Sequence, residues 1–246
     1  MKIKVDMDYV IVGSVTAIIA VAMIVFFHFN QKPTAKRKQA PKSKRDYVFG
    51  IDVSHYQGHI NWNKVKQSHH PIEFVFVRST MGVNGNDQYF NRNWRHAKEL
   101  GFMRGAYHYF RPNEPGLKQF ENFKQRVRLE RGDLPPVIDI EEQSIKGNNH
   151  LIKELKVWLT EVESHYGVKP IIYTGHTFYN TFLKGKLNGY TLWIADYNYG
   201  SKQRIKHTGW SFHQFTDKVR ISGIKGSVDG NDYAGKLDEL SALCLN

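Results

Sequence analysis

Cysteine is nearly absent: the 246 residues hold one, Cys244. A disulfide framework is therefore excluded, and so is any zinc or iron–sulfur site built on several cysteines. The redox compartment stays open, because a protein outside the cytoplasm need not use disulfides. No Gly-x-Gly-x-x-Gly follows a strand-like run, so a nucleotide-binding reading has no support. The twelve histidines form no His-x-x-x-His metal pair on a helical stretch. Ser54 and Ser79 lack a Gly-x-Ser-x-Gly setting. Nothing calls for a metal or a cofactor. The bulk composition, 41% hydrophobic and 24% charged, is that of a globular chain, which excludes a mostly disordered protein, a coiled coil and a collagen-like repeat.

Charge is unevenly placed. The net charge is +12, but nine Lys/Arg and only two Asp/Glu fall in residues 1–45, which leaves +5 for the rest. Tyr9 to Phe27 carries no charged side chain, and a run of about 20 such residues is long enough to span a bilayer as a helix. Residues 1–30 are read as an uncleaved transmembrane anchor. Secretion after cleavage near Ala20-Val21-Ala22 is the alternative, although that site falls inside the apolar run. Residues 31–45 are Pro-, Lys- and Gln-rich without apolar periodicity and read as a solvated basic linker, not as a nucleic-acid site. By the positive-inside rule alone, the chain beyond the span would stay in the cytoplasm.

From residue 46 to 246 the grammar changes. Short β-branched and aromatic runs recur, at Tyr47–Val53, Phe74–Ser79, Gly105–Phe110, Val137–Glu141, Pro170–Thr174, Tyr190–Ala195 and Trp210–Phe215. Amphipathic stretches at Asn91–Leu100, Leu117–Leu129 and Leu151–His165 lie between the earlier ones. The spacing of about 30 residues is that of a βαβ unit, and after Thr174 it shortens to about 20. The pattern predicts one α/β domain, an irregular TIM-like barrel of five β/α units plus three further strands. An open doubly wound sheet is the competitor. The barrel is favoured because Asp52, Arg78, His108, Asp139, Glu141, Tyr173, Asp196 and Gln214 all fall at the C-terminal ends of different strands, which meet at one face only in a barrel.

Asp139 and Glu141 are two residues apart in one expected strand, which puts both on one side with Cα atoms about 6.6 Å apart. Carboxylates that close raise one another's proton affinity, so one can act as an acid while the other stays charged. Glycosidic cleavage needs that division. A salt-bridged strand end and a divalent-metal site are the alternatives from spacing alone. Asp52 ends the first strand and Asp229 sits near the chain end; in a closed barrel the two come from neighbouring strands. Tyr107, Tyr173, Trp193 and Tyr197 suit sugar stacking or ordinary packing. His108 is expected to be a hydrogen-bonded structural residue.

These segments, taken together, resemble the glycoside hydrolase family 25 lysozymes, which are N-acetylmuramidases. The matching residues are Gly50-Ile-Asp-Val-Ser-His-Tyr-Gln-Gly58 with Ile60-Asn-Trp62, then Phe74-Val-Phe-Val-Arg-Ser-Thr-Met-Gly82 and Gly105-Ala-Tyr-His-Tyr-Phe110. They continue at Val137-Ile-Asp-Ile-Glu141, Ile172-Tyr-Thr-Gly175, Leu192-Trp-Ile-Ala195 and Val228-Asp-Gly-Asn231. The resemblance implies cleavage of the β-1,4 bond between N-acetylmuramic acid and N-acetylglucosamine in peptidoglycan. It implies Glu141 as general acid, Asp139 as transition-state stabiliser, and Asp52 and Asp229 completing the acidic site. Tyr107, Tyr173, Trp193, Asp196 and Arg78 are the expected substrate contacts. One departure stands out: the family pattern Lys-x-Ser/Thr-Glu-Gly is here Arg78-Ser-Thr-Met-Gly82.

A chitinase-like hydrolase is a second reading, weakened by Val137 where such barrels carry the first acid of Asp-x-Asp-x-Glu. A non-catalytic peptidoglycan-binding barrel is a third, and binding alone does not need four acids. The expected partners are peptidoglycan glycan strands and, through the anchor, a membrane. The barrel is expected to be a monomer held outside the cytoplasm, where peptidoglycan lies, against the charge asymmetry of the flanks.

Overall fold

The computed structural model describes residues 47–198 and 209–246. The expected anchor and basic linker lie outside the described residues. Among the described residues no helix is long and apolar enough to cross a membrane.

The strands are β1 (Val48–Val53), β2 (Ile72–Met81), β3 (Gly85–Asn86), β4 (Met103–Tyr109), β5 (Val137–Asp139), β6 (Ile171–Gly175), β7 (Thr191–Ala195), β8 (Phe212–Val219) and β9 (Val228–Tyr233). The helices are α1 (Trp62–Lys66), α2 (Phe90–Glu99), α3 (Gly116–Arg126), α4 (Asn148–Tyr166), α5 (His176–Phe178, continued by a π-helical turn at Tyr179–Leu183) and α6 (Leu237–Ala242). Eight strands close a ring in the order β1-β9-β8-β7-β6-β5-β4-β2, with β2 returning to β1 and the short β3 folded onto the end of β2. The barrel and its five helix-bearing units followed by three strands match the sequence reading.

Direction is where the structure adds to that reading. Six neighbouring pairs in the ring are parallel, but β9 is antiparallel to both β8 and β1. A parallel return needs a crossover of about a dozen residues or more. The link from Val219 to Val228 is shorter than that, so β9 turns back as a hairpin. The strand expected over Val137–Glu141 also ends earlier, at Asp139.

Alternation along the strands splits the core in two. Phe74 and Phe76 of β2 point into the barrel, with Trp193, Phe212 and Tyr173. Val75 and Val77 point outward to helix residues such as Phe123, Leu155 and Trp158. The Phe76 and Trp193 rings stack at 4.4 Å between centroids, so the interior is packed and not a pore. Two glycines make room for these rings. A Cβ on Gly50 would come within 2.4 Å of the Phe74 ring, and one on Gly105 within 2.6 Å of the Phe76 ring. The filled lower barrel leaves only the upper ends of the strands open.

Candidate active site

A cleft of about 460 Å³ opens at the C-terminal ends of the parallel strands. Each strand around the ring supplies side chains to it. Asp52 comes from β1, Arg78 and Met81 from β2, Tyr107 and Tyr109 from β4, and Asp139 from β5; Glu141 follows just beyond β5. Tyr173 comes from β6, Trp193 from β7, Gln214 from β8 and Asp229 from β9. Asp229 is near the start of its strand. It reaches the same mouth because β9 runs antiparallel, which sets it directly opposite Asp52 in register.

Asp52 is the most heavily hydrogen-bonded of the acids. Its Oδ2 accepts from Gln214 Nε2 at 2.9 Å and from Asn231 Nδ2 at 2.7 Å. Asn231 is itself held by the Trp193 indole N–H, which donates to its Oδ1 at 2.8 Å. Asp229 also hydrogen-bonds Asp52. Burial, then the charge of Asp52 and the bond to it, push the Asp229 carboxyl up to about 8. Asp229 is therefore the protonated donor and Asp52 the acceptor. Burial raises the affinity of Asp52 for a proton, and its three hydrogen bonds work against that.

Asp139 and Glu141 differ in exposure. Asp139 is 7% exposed on the cleft floor, and its Oδ1 has no hydrogen-bond partner. Burial, then the charges of Glu141 and Asp52, hold its carboxyl well above the usual range, and Arg78 partly offsets them. Glu141 stands exposed at the rim. Desolvation raises its carboxyl too, the Tyr173 hydroxyl lowers it, and Asp52 and Glu142 raise it. The chain is still pinned at this point, although β5 has ended. Ile140 N–H donates to Tyr173 O at 3.0 Å, and Thr174 Oγ1 donates to Ile140 O at 2.6 Å. Both acids thus sit on fixed backbone, one inside and one outside. The Tyr107 and Tyr173 hydroxyls are buried and pushed well above their ordinary range, so both remain protonated donors.

The structure brings together eight of the nine expected residues: Glu141, Asp139, Asp52, Asp229, Tyr107, Tyr173, Trp193 and Arg78. Trp193 is floor more than platform, being 2% exposed. Arg78 Nε donates to Asp87 Oδ2 at 3.2 Å, and its guanidinium lies 5.1 Å from the Tyr56 ring, so it props the rim. Asp196 is the correction. It does not line the cleft; its carboxylate pairs with His176 at 3.0 Å and accepts the Asn198 N–H. His108 faces outward, bonded to Thr80 at 2.7 Å and Gln119 at 3.1 Å and stacked on Trp158, which agrees with a structural role. Sequence reading gave no role to Asn231, Tyr56, Tyr109, Arg111 or Glu142. For three of them a signal was present: Asn231 alternates with Asp229, and Tyr109 and Arg111 alternate with Tyr107, which places them on one side.

Comparison with known proteins agrees with this geometry. Residues 51–224 match the model for glycosyl hydrolases family 25. An uncharacterized Escherichia coli K12 protein, YegX, is 39% identical over 199 residues, 80% of this chain and 73% of the relative. Lysozyme M1 of Streptomyces globisporus is 32% identical over 216 residues, 81% of this chain and 72% of the relative. The structure of a family 25 glycosyl hydrolase from Bacillus anthracis superposes with a TM-score of 0.73 at 29% identity, covering 84% of this chain and 99% of that one. With a closed barrel, an acid-lined mouth and this match over most of the folded region, the chain belongs to the glycosyl hydrolases family 25 and is a glycoside hydrolase.

Proposed function

We propose that the enzyme cleaves the β-1,4 bond between N-acetylmuramic acid and N-acetylglucosamine in peptidoglycan, with Glu141 as general acid and Asp139 as the stabilising carboxylate. The observation that carries this assignment is the difference between the two acids. Glu141 is at the rim, where it meets both the leaving oxygen and the water that later restores its proton. Its raised proton affinity keeps it in the acid form closer to neutral pH. Asp139 is on the floor with an unsatisfied oxygen, ready to accept an N–H.

A 2-acetamido group supplies that N–H. Bound to Asp139, its carbonyl oxygen is turned toward the anomeric carbon and attacks it. The C–O bond to the leaving sugar breaks, Glu141 gives its proton to that oxygen, and a cyclic oxazolinium ion forms. Water then adds to the anomeric carbon, returning a proton to Glu141 and regenerating the acetamido group. Burial favours protonated Asp139 before substrate binds, whereas the N–H donor and the positive charge at the anomeric carbon favour its anion. Asp139 gives its proton to solvent as the substrate N–H binds, and the anion then stabilises the positive charge that develops at the anomeric carbon. Asp52, backed by Gln214, Asn231 and Asp229, sets the field around Glu141. A trapped covalent glycosyl–Asp139 adduct would replace this sequence with direct attack.

The test is fragment analysis. Peptidoglycan is incubated with the detergent-solubilised chain and with Glu141→Gln, and the products are read by mass spectrometry. New reducing-end muramic acid made by the wild type, and reduced at least about 100-fold in the variant, is the expected result. Intact binding without fragments from either protein would favour a binding barrel. The same reading places residues 1–30 as a membrane anchor and the barrel outside the cytoplasm. Digestion of the barrel by protease added to intact spheroplasts is expected, and full protection would defeat that placement.

A further inference from the structure

Among the described residues two cations line the cleft, Arg78 and Arg111, and they are engaged very differently. Arg78 is committed to the buried carboxylate of Asp87. Arg111 lies just past β4, with about half of its side chain exposed. Its Nη2 donates to the Met81 sulfur at 3.5 Å, and its Nη1 is 3.8 Å from Glu114 Oε1. A thioether is a weak, uncharged acceptor. Glu114 is beyond hydrogen-bond range, and its other oxygen already accepts the Val83 N–H at 2.7 Å. A guanidinium has five donors in a planar fork that fits a carboxylate. Here the guanidinium lines the cleft and has one weak hydrogen bond and one long ion pair.

The other charged residues of the described lining are acids. Asp52, Asp139, Glu141, Glu142 and Asp229 all contribute to the same wall. Glu142 accepts the Tyr109 hydroxyl at 2.8 Å, and its carboxylate forms no ion pair with Arg111 among the described residues. An anionic strand entering such a mouth is repelled unless a cation meets its charge. We propose that Arg111 is a specificity-determining residue that takes a carboxylate of the substrate strand, and that Met81 keeps it open by offering no competing charge. This rests on the muramidase reading. A glycan strand of peptidoglycan carries carboxylates from two sources: the lactyl group of muramic acid where no peptide is attached, and the stem peptide where one is.

Met81 supplies a second handle, because a carboxylate at that position would pair with Arg111 within the protein. Wild type, Arg111→Gln and Met81→Glu, each as the full chain in detergent, are compared for kcat and KM on four soluble oligosaccharides. Two carry stem peptides, with carboxylates free or amidated. Two lack peptides, with lactyl carboxylates free or converted to the methylamide. Both substitutions are expected to raise KM about fivefold on a carboxylate-bearing substrate, with kcat moving less. The effect should vanish on its amidated counterpart and shrink in 0.5 M salt. An effect confined to the peptide-bearing pair identifies the stem peptide as the source, and one confined to the peptide-free pair identifies the lactyl group. Equal KM changes on free and amidated substrates, or no change on any, would overturn the proposal. A normal KM for Met81→Glu beside an impaired Arg111→Gln would overturn the role given to Met81. A wild-type chain that cleaves none of the four would instead overturn the muramidase reading itself.

Discussion

Replacing Asp229 by Asn tests the shared proton between Asp229 and Asp52. The amide keeps a donor for the Asp52 carboxylate and cannot ionise. The unfolded chain holds this carboxyl at its ordinary 3.8 and the folded protein at about 8. Between those values the native state binds a proton that the unfolded state does not. Wild-type stability therefore falls as pH rises through that window and is flat above it. At about 1.4 kcal/mol per pH unit, a water-free site would lose about 6 kcal/mol across it. Asp229 is only partly buried, and screening brings the expected figure to about 2–3 kcal/mol. Urea denaturation of both proteins at half-unit steps from pH 4 to 9 reads the difference directly. Asp229→Asn should be near wild type at pH 4 and more stable by that amount at pH 9. A difference that does not change with pH would refute the shared-proton assignment.

Other consequences follow from groups outside the cleft. Arg104 and Asp133 form a buried bidentate pair at 2.7 and 3.0 Å, so Arg104→Met should destabilise the fold by about 3–5 kcal/mol in urea titrations. Much of that loss should return in Arg104→Met/Asp133→Leu, which leaves no unpaired buried charge. Burial lowers the His108 imidazole to about 4 from an ordinary 6.5. Stability linked to its neutral form is full above pH 6.5 and is lost as pH falls toward 4, by about 3 kcal/mol. His108→Gln should remove that slope in denaturation curves while lowering stability at every pH through loss of the stack on Trp158. Gly105→Ala, which drives a methyl into the Phe76 ring, should lower stability by about 1–3 kcal/mol, read as a fall in the thermal midpoint.

β-Branched and aromatic runs such as Phe74–Ser79 and Gly105–Phe110 made the strands legible, because such side chains suit a pleated, buried surface. Alternation along a strand put Asp139 with Glu141 on one side. The helices between them were legible from their apolar period, to within a few residues at each end. Strand direction was not legible. β9, Val-Asp-Gly-Asn-Asp-Tyr, lacks the apolar run that marks the other strands, and the short link before it forces the hairpin that sets Asp229 against Asp52.

Other parts of the site were decided by partners distant in sequence. Asp196 sits at a strand end like the cleft acids, but His176, which follows the neighbouring strand β6, pairs with its carboxylate. Glu141 leaves the strand, and the hold of Tyr173 and Thr174 on Ile140 decides where it stands. Asn231 has a role only because Trp193 and Asp52 flank it. Arg111 stays available to the cleft because Met81, 30 residues away, offers it no charge and Glu114 pairs with it only at 3.8 Å. The sequence by itself determined the elements, the side of the sheet each residue takes and the acids that gather at one end, because those follow from local backbone geometry. Which acid holds the proton, which carboxylate is turned away and which cation is left free were decided by the tertiary structure, because each depends on burial and on charges brought together only when the barrel closes.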